Sequence, residues 1–202
     1  MIEIDGSFGE GGGQIIRTAL GLSLATGKSF TISNIRSKRR NPGLLRQHLT
    51  AVNAAVSVGK ANVQGNEINS KEIVFEPTGI FPGKYLFDIG SAGSASLVMQ
   101  TVLPALAFAK EESEITIIGG THNPMAPPFD FVKETFFPVL QKMGLGCNFE
   151  LEAYGFYPAG GGRVRVTMGA PTRIQPIHIL DRGPILSVNL EGILLMAAFL
   201  TT

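Results

Sequence analysis

The chain has 202 residues, 44% of them hydrophobic, and a formal net charge of +1 at pH 7. This length and apolar content predict a soluble globular chain of one or two domains. The nearly neutral charge excludes a generally basic nucleic-acid binder, so any contact with nucleic acid would need a local basic patch. A single cysteine, Cys147, excludes a disulfide framework and favours a reducing cytoplasm. We expect a cytoplasmic protein without membrane contact, because we find neither a secretory signal nor an apolar run of the about 20 residues that cross a bilayer.

The first predicted elements enclose a glycine-rich loop. Residues 2–5 predict a strand and residues 15–25 a helix; of the nine residues between Gly6 and Gln14, five are glycine. Glycines let a backbone approach a ligand closely, and the start of a helix offers free N–H groups that favour phosphate. Glu10 would repel a phosphate unless a divalent cation bridged the two. The loop therefore predicts a nucleotide–metal site, although glycine-rich turns without a ligand are also common.

The predicted helix carries one residue that supports this hypothesis and one segment that does not. Arg17 lies one turn into an apolar run, where an unpaired charge is costly. It therefore either binds a phosphate or forms a salt bridge with Glu10 or Asp5. Residues 26–29, TGKS, are similar to the end of a Walker A motif, but they end a helix instead of opening one, so we reject a P-loop here.

A basic loop and a second helix follow the strand predicted at residues 29–35. The loop Arg36–Arg40 could hold a polyphosphate or an RNA backbone, or it could be a solvated loop. Asn41 and Pro42 predict the start of a helix that ends near Val58, where Gly59 stops it. Strands are predicted at 61–64, 72–76 and 84–88.

The same pattern then returns. Residues 87–96 lead into a helix at 97–109 and a strand at 114–118, followed by a helix at 129–143 and strands at 147–151 and 163–167. Landmarks recur 82 to 85 positions apart: Asp5 and Asp88, Thr18 and Thr101, Asn41-Pro42 and Asn123-Pro124, Gly59 and Gly144. We interpret this as an α+β fold of tandem βαβαββ repeats, each with two helices on a four-stranded sheet. The predicted units are 1–85, 86–172 and the start of a further, strand-like unit at 173–202.

The second repeat offers other candidates. Gln100 stands where the first repeat has Arg17, among apolar residues, and would make either a core hydrogen bond or a contact with a base or ribose. Residues 123–131 could form rigid apolar walls for a flat ring, or could simply hold the chain to the core. His48, His122 and His178 show neither metal-ligand spacing nor a triad, so we interpret them as structural.

Five segments together resemble the RNA 3′-terminal phosphate cyclase family. They are EGGGQIIRTALGLSLATGKSFTI (10–32), NPGLLRQHLTAV (41–52), IGSAGSASLVMQTVLPAL (89–106), GGTHNPMAPPFDFV (119–132) and GFYPAGGGRV (155–164). The resemblance implies a large domain of three such repeats, an architecture shared with enolpyruvyl transferases, with a small domain inserted between the second and third. Residues 173–202 would begin that insert, and we expect the chain to be a fragment of a longer protein.

The resemblance also implies a chemistry. It is the ATP-dependent conversion of an RNA 3′-phosphate end to a 2′,3′-cyclic phosphate, through a covalent histidine–AMP and an RNA-adenylate, in an enzyme of the ligase class. By resemblance, Glu10 would bind a divalent metal (Mg or Mn), Arg17 and Arg36 would lie at the phosphates, and Gln100, Pro127, Phe131 and Gln47 would bind ATP. The family's nucleophilic histidine lies near the C-terminus and no histidine here matches it, so we expect the 202-residue chain alone to be inactive.

Two alternatives remain open. One is a non-catalytic relative that acts in RNA processing or ribosome biogenesis, and the other is an enzyme similar to the enolpyruvyl transferases. Glu10, Arg17 and Arg36 together favour the cyclase, because a scaffold needs no metal carboxylate beside phosphate-binding arginines. The sequence does not indicate an oligomeric state.

Overall fold

Two four-stranded mixed sheets, each packed against helices on one face, make up the fold. The computed structural model describes residues 1–170, 173–190 and 192–193. The sheets have strand orders β1-β2-β4-β3 and β5-β6-β8-β7. In each sheet the first two strands are parallel and the remaining pairs are antiparallel. The predicted α+β class and its tandem βαβαββ pattern are therefore confirmed.

The elements of the first repeat are β1 (Ile2–Asp5), α1 (Gly13–Thr26), β2 (Phe30–Ser33), α2 (Arg46–Gly59), β3 (Asn62–Gln64) and β4 (Ile73–Glu76). Those of the second are β5 (Lys84–Asp88), α3 (Ala95–Leu106), β6 (Ser113–Gly119), α4 (Phe129–Phe131), α5 (Phe137–Lys142), β7 (Cys147–Ala153) and β8 (Gly162–Met168). A π-helical turn, Val132–Phe136, joins α4 to α5. None of the helices in the described ranges is long and apolar enough to cross a membrane.

The helices and the inner faces of both sheets share one apolar core. Alternate residues of β2 and β4 point into it, so Phe30, Ile32, Ile73 and Phe75 are buried. The first helices of the two repeats approach closely, since a Cβ added at Gly21 of α1 would lie 3.1 Å from the backbone oxygen of Thr101. The two repeats are thus packed through α1 and α3, which begin near the predicted site.

The predicted start of the second helix is wrong. Asn41 and Pro42 do not begin it; α2 starts at Arg46, with Leu45 as its N-cap. The reason is tertiary: Arg36 Nη1 donates to the carbonyl oxygens of Asn41 and Gly43, both at 2.7 Å. Gly43 has a φ of 76°, and its N–H bonds to Ile35. These contacts bind the segment to the preceding loop, and helix formation is delayed by one turn.

Gly59 is the last residue of α2, and Lys60 adopts the left-handed conformation after it, with φ 41°. The strand-like character expected from Arg173 onward is not found, because residues 173–190 and 192–193 contain no strand; the other residues of the predicted third unit lie outside the described ranges. The predicted boundary after residue 85 falls inside β5, and the division into domains stays a prediction.

Candidate functional site

The glycine-rich loop and the basic loop lie together at one end of the first sheet. They follow β1 and β2, which are parallel, and the carboxyl ends of parallel strands meet at one edge of a sheet. The Gly6 N–H donates to the Ser33 oxygen at 2.8 Å, which joins the starts of the two loops. Side chains from both loops can therefore surround the start of α1.

No side chain in the described part of the molecule caps the N-terminus of α1. Its N-cap is Gly12, which makes no side-chain hydrogen bond, and the first turn contains no acidic residue. The first N–H groups of a helix and the positive end of its dipole attract anions when they are not capped. This terminus is consequently available to a phosphate.

Arg17 borders this terminus and has no counter-ion among the residues that the structure describes. Its Nη1 would lie 3.0 Å from a Cβ added at Gly13. The salt bridges considered for it do not form, because Glu10 pairs with Arg39 and Asp5 accepts hydrogen bonds from Ser7 and Asn34. Its Nε is buried without a hydrogen-bond partner in the described part of the chain. Burial lowers the pKa of Arg17 below its ordinary value, as expected for a buried, unpaired cation.

The basic loop adds two arginines. Arg36 lies half-buried and in the left-handed region, with φ 53°, and burial together with the charge of Arg39 lowers its pKa. Arg39 forms an ion pair with Glu10, and its Nη2 would lie 3.0 Å from a Cβ at Gly12. The sequence indicated Arg39 only as part of the basic loop Arg36–Arg40. Nothing in the sequence pattern shows which basic side chain of that loop lies beside the start of α1.

His48 completes this group, which we call the cationic cluster (Arg17, Arg36, Arg39 and His48). Its Nε2 would lie 2.3 Å from a Cβ at Gly13. Burial, then the charges of Arg36 and Arg17, lower the pKa of His48 to about 4, so its ring is neutral at pH 7. Its Nδ1 accepts a hydrogen bond from the Leu45 N–H at 3.2 Å, so the ring also caps α2. Sequence reasoning assigned His48 a structural place only.

The equivalent helix start in the second repeat is closed. The N-cap of α3 is Ser94, whose side chain accepts from the Leu97 N–H at 3.4 Å. The Ser94 N–H in turn donates to Gln47 Oε1 at 2.7 Å. The loops before α1 and α3 share an aspartate turn, since Asp5 accepts from residue 7 and Asp88 from residue 90. The two repeats thus match in the loop and differ at the helix terminus: among the described residues, α3 has a side-chain cap and α1 has none.

The ATP-binding residues predicted in the second repeat meet at a separate cavity of about 180 Å³. Its walls are Ser96, Leu97, Met99, Gln100, Leu103, Pro104, Pro127, Phe131, Val132 and Phe136. Gln100 is exposed, so the expected core hydrogen bond is not made. The structure therefore brings Gln100, Pro127 and Phe131 together, apart from the cationic cluster.

Gln47 lies between the two groups. Its amide oxygen is bonded to Ser94, the Ser94 hydroxyl lies 2.8 Å from the Ser96 hydroxyl, and Ser96 donates to the Pro127 oxygen at 2.7 Å. This hydrogen-bonded chain connects the start of α2, next to His48, with the wall of the cavity. The predicted role of Gln47 in binding ATP stays a prediction.

Comparison with known proteins gives this geometry a family. The family model described as RNA 3′-terminal phosphate cyclase matches residues 8–201. The chain belongs to the RNA 3′-terminal phosphate cyclase family. A relative of that name from Koribacter versatilis (strain Ellin345) is 51% identical over 194 residues, which are 96% of this chain and 55% of the relative. Another, from Ectopseudomonas mendocina (strain ymp), is 52% identical over 185 residues, 92% of this chain and 53% of the relative. The chain spans about half the length of these cyclase-family relatives.

The described residues of this family member offer a limited set of metal ligands. They contain no group of three or more histidine, cysteine, aspartate or glutamate side chains that could hold an ion. The Glu10 side chain is 82% exposed and stands in the loop that precedes the cationic cluster. Mg²⁺ is usually held by one or two carboxylates together with substrate phosphates, so the single carboxylate of Glu10 beside a group of arginines fits such a site.

His122, in the segment 119–132, holds the loop before α4 in place through its side-chain contacts. Its Nε2 lies 2.8 Å from Asp130 Oδ2 and its Nδ1 lies 2.8 Å from Thr121 Oγ1, and its ring packs against Tyr154 and Phe156. Thr121 is only 4% exposed, so this arrangement presents no accessible nucleophile. The contacts hold the loop that carries Pro127 onto the start of α4, as a structural histidine would.

Proposed function

We propose that this chain forms the phosphate-binding part of an ATP-dependent RNA 3′-phosphate cyclase. The reaction converts an RNA 3′-phosphate and ATP into an RNA 2′,3′-cyclic phosphate, AMP and pyrophosphate. One observation carries the proposal: Arg17 lies at the uncapped start of α1 beside His48, whose ring also senses the charge of Arg36. Neither arginine pairs with a carboxylate in the described ranges. The names of the two relatives support the same activity.

The cationic cluster suits the pyrophosphate that leaves when AMP is transferred. Guanidinium groups bind phosphate oxygens through parallel, charge-assisted hydrogen bonds. Donors that are already in place when negative charge develops on the leaving group stabilise the transition state without reorganisation. Arg17 and Arg36 supply such donors, while Arg39 has to leave its ion pair with Glu10 to join them.

Glu10 has the part of a metal ligand in this proposal. A divalent cation, when bound, would neutralise charge on the phosphates. The exposed Glu10 carboxylate would be one of the ligands of this cation. Breaking the ion pair between Glu10 and Arg39 would then free both side chains to bind. Arg39 would then bind a phosphate, and the Glu10 carboxylate would coordinate the cation.

The cavity of the second repeat would take the base of ATP. Pro127 and Phe131 give it apolar walls, and the exposed amide of Gln100 can donate to and accept from a base edge. Covalent attack on ATP needs the family's late histidine, which has no counterpart among His48, His122 and His178. We therefore propose that the nucleophile is supplied outside this chain.

Calorimetric titration of the 202-residue chain with pyrophosphate tests the proposal. Arg17→Gln should weaken binding by about tenfold or more, as expected for a lost hydrogen bond to a charged group. Lys28→Gln is the matched control, since it removes the same charge at the opposite end of α1 and should change affinity less than about twofold, as is typical of an exposed charge. Equal effects, or no binding by the wild type, would favour the non-catalytic alternative.

Two arms of the same experiment examine the metal and the nucleophile. With Glu10→Gln, the gain in ATP affinity caused by Mg²⁺ should disappear, whereas pyrophosphate binding without metal should persist. ATP labelled at the α-phosphate should leave no label on the 202-residue chain. A labelled chain would contradict the assignment of the nucleophile to a part outside it.

A further inference from the structure

His48 is fixed in one tautomer by the start of α2. It occupies the third position of the helix, where its Nδ1 accepts the Leu45 N–H at 3.2 Å, as in a capping box. A ring nitrogen that accepts a hydrogen bond carries no proton, so the proton of the neutral ring is on Nε2. Protonation of Nδ1 would set two N–H groups against each other and remove the cap. The capping geometry therefore selects a neutral ring with an Nε2–H donor.

The donor edge of this ring faces the open start of α1. A Cβ added at Gly13 would lie 2.3 Å from His48 Nε2 and 2.6 Å from its Cδ2, with Arg17 Nη1 at 3.0 Å from the same point. The imidazole edge and the guanidinium thus both lie beside the first residue of the helix. Within the described ranges, His48 makes its hydrogen bond through Nδ1, and Nε2 has no acceptor.

The charges around the ring explain why a neutral donor suits this place. Arg17 approaches it from α1 and Arg36 from the loop after β2, and both charges disfavour the imidazolium form. Arg39, next to Arg36, adds positive charge to the same group and is partly balanced by Glu10. A cationic histidine would add repulsion to this cluster whenever no ligand is bound. A neutral ring adds a donor without that repulsion.

We infer that His48 is a further ligand of the phosphate group bound at the start of α1, to which it donates its Nε2–H. The inference rests on the proposed function, because it assigns a residue to the same anion site. It goes beyond that proposal by giving the site an uncharged, directional donor fixed by the capping of a second helix. The bond lies in the ring plane, so it also orients the oxygen that it contacts.

Two substitutions separate the donor from the cap. In His48→Asn the amide oxygen takes the place of Nδ1 and can still accept the Leu45 N–H, but nothing reaches as far as Nε2. In His48→Gln the amide nitrogen takes the place of Nε2 as a donor, while the cap is weakened. Pyrophosphate binding to the 202-residue chain and its thermal midpoint are measured for both variants, with His178→Asn as the control for a histidine in the exposed segment 173–190.

The two variants should differ in which property they lose, pyrophosphate affinity or thermal stability. His48→Asn should weaken pyrophosphate binding by about tenfold with little loss of thermal midpoint, and His48→Gln should bind more tightly than His48→Asn but melt at a lower temperature. If His48→Asn binds pyrophosphate as the wild type does, His48 is only a cap and the inference is overturned. If the wild type itself fails to bind pyrophosphate, the anion site is overturned and the inference with it.

A spectroscopic measurement on the wild type tests whether His48 donates its Nε2–H to the bound anion, even if a variant fails to fold. Imidazole ¹⁵N spectra should show the neutral Nε2–H tautomer of His48 at pH 6 to 8, and addition of pyrophosphate should shift the Nε2 resonance. An imidazolium spectrum in the presence of pyrophosphate, or an unchanged Nε2 resonance with pyrophosphate bound, would overturn the inference.

Discussion

Two adjacent glycines at the start of α1 meet different surroundings. A Cβ at Gly12 would lie 3.0 Å from the end of the Arg39 side chain, which is flexible and partly exposed. A Cβ at Gly13 would lie 2.3 Å from the His48 ring, which is held by its hydrogen bond to Leu45. Glycine is therefore required at position 13 for space, because the His48 ring and the Arg17 guanidinium occupy the volume that a methyl group would fill.

Alanine at these two positions should have unequal effects. Within a helix alanine is favoured over glycine by about 1 kcal/mol, but Gly13→Ala should lower the thermal midpoint and weaken pyrophosphate binding, because His48 or Arg17 has to move. Gly12→Ala should lower the midpoint only slightly, by the modest cost of alanine at an N-cap, because the Arg39 side chain can move aside. Thermal unfolding and pyrophosphate titration of both variants check this, and equal behaviour would mean that the His48 ring does not fill the space beside Gly13.

Some residues of the candidate site could be singled out from the sequence, and others could not. The glycine loop, Glu10 and Arg17 were visible because their residue types are unusual in their places. Arg39 and His48 were not assigned, because their approach to the loop depends on how residues 36–45 fold. That fold is set by hydrogen bonds from the Arg36 side chain to backbone oxygens, which no local pattern encodes.

The two repeats differ in the residue that caps the N-terminus of their first helix. Gly12 and Ser94 stand 82 positions apart as the N-caps of α1 and α3, and only serine supplies a side-chain acceptor. That part of the difference is visible in the sequence. The bond from the Ser94 N–H to Gln47 is not, because it joins residues from different repeats. Likewise, Asn41-Pro42 has a good local pattern for a helix start, and tertiary hydrogen bonds override it.

Gln47→Leu should reveal a structural role for this side chain. Ser94 is 3% exposed, so its N–H would be left buried and unpaired, and the free energy of unfolding should fall by about 1–3 kcal/mol. Pyrophosphate affinity should change little, because the amide oxygen is already bonded to Ser94. Urea unfolding and pyrophosphate titration check this, with Gln64→Leu on the exposed face of β3 as control. Lost binding at unchanged stability would instead make Gln47 a ligand, as the family resemblance implies.

In the whole molecule, the two repeats have one topology and different surfaces. The first repeat carries the cationic cluster and the second carries the apolar cavity, and Gln47, Ser94, Ser96 and Pro127 link them by hydrogen bonds. The overall charge of +1 conceals this concentration of positive charge at one helix start. The repeat and the order of strands and helices were predictable from periodic patterns and recurring landmarks. The separation of cluster from cavity was not, because it follows from the packing of α1 against α3.

The cationic cluster should also shape the pH dependence of unfolding. The pKa of His48 is about 4 in the folded chain and ordinarily 6.5, so between these values the unfolded chain binds a proton that the folded chain does not. The free energy of unfolding should therefore decrease as the pH falls through this window, by at most about 3–4 kcal/mol. Above about pH 8, where His48 is neutral in both states, it should contribute no slope. Hydrogen bonds from Ser7 lower the pKa of Asp5 below its ordinary 3.8, so the stability that Asp5 contributes is lost only at lower pH.

Urea unfolding of the wild type and His48→Asn between pH 4.5 and 7.5 isolates this contribution. The variant has no titrating group at position 48, so its free energy of unfolding should depend less on pH, and relative to the wild type it should become more stable as the pH falls. His178→Asn should follow the wild-type curve, because His178 lies exposed in the segment 173–190. Parallel curves for the wild type and His48→Asn would mean that His48 accepts a proton in the folded chain as readily as in the unfolded one. The cluster would then tolerate a further cation, and the neutral donor at the start of α1 would lose its physical basis.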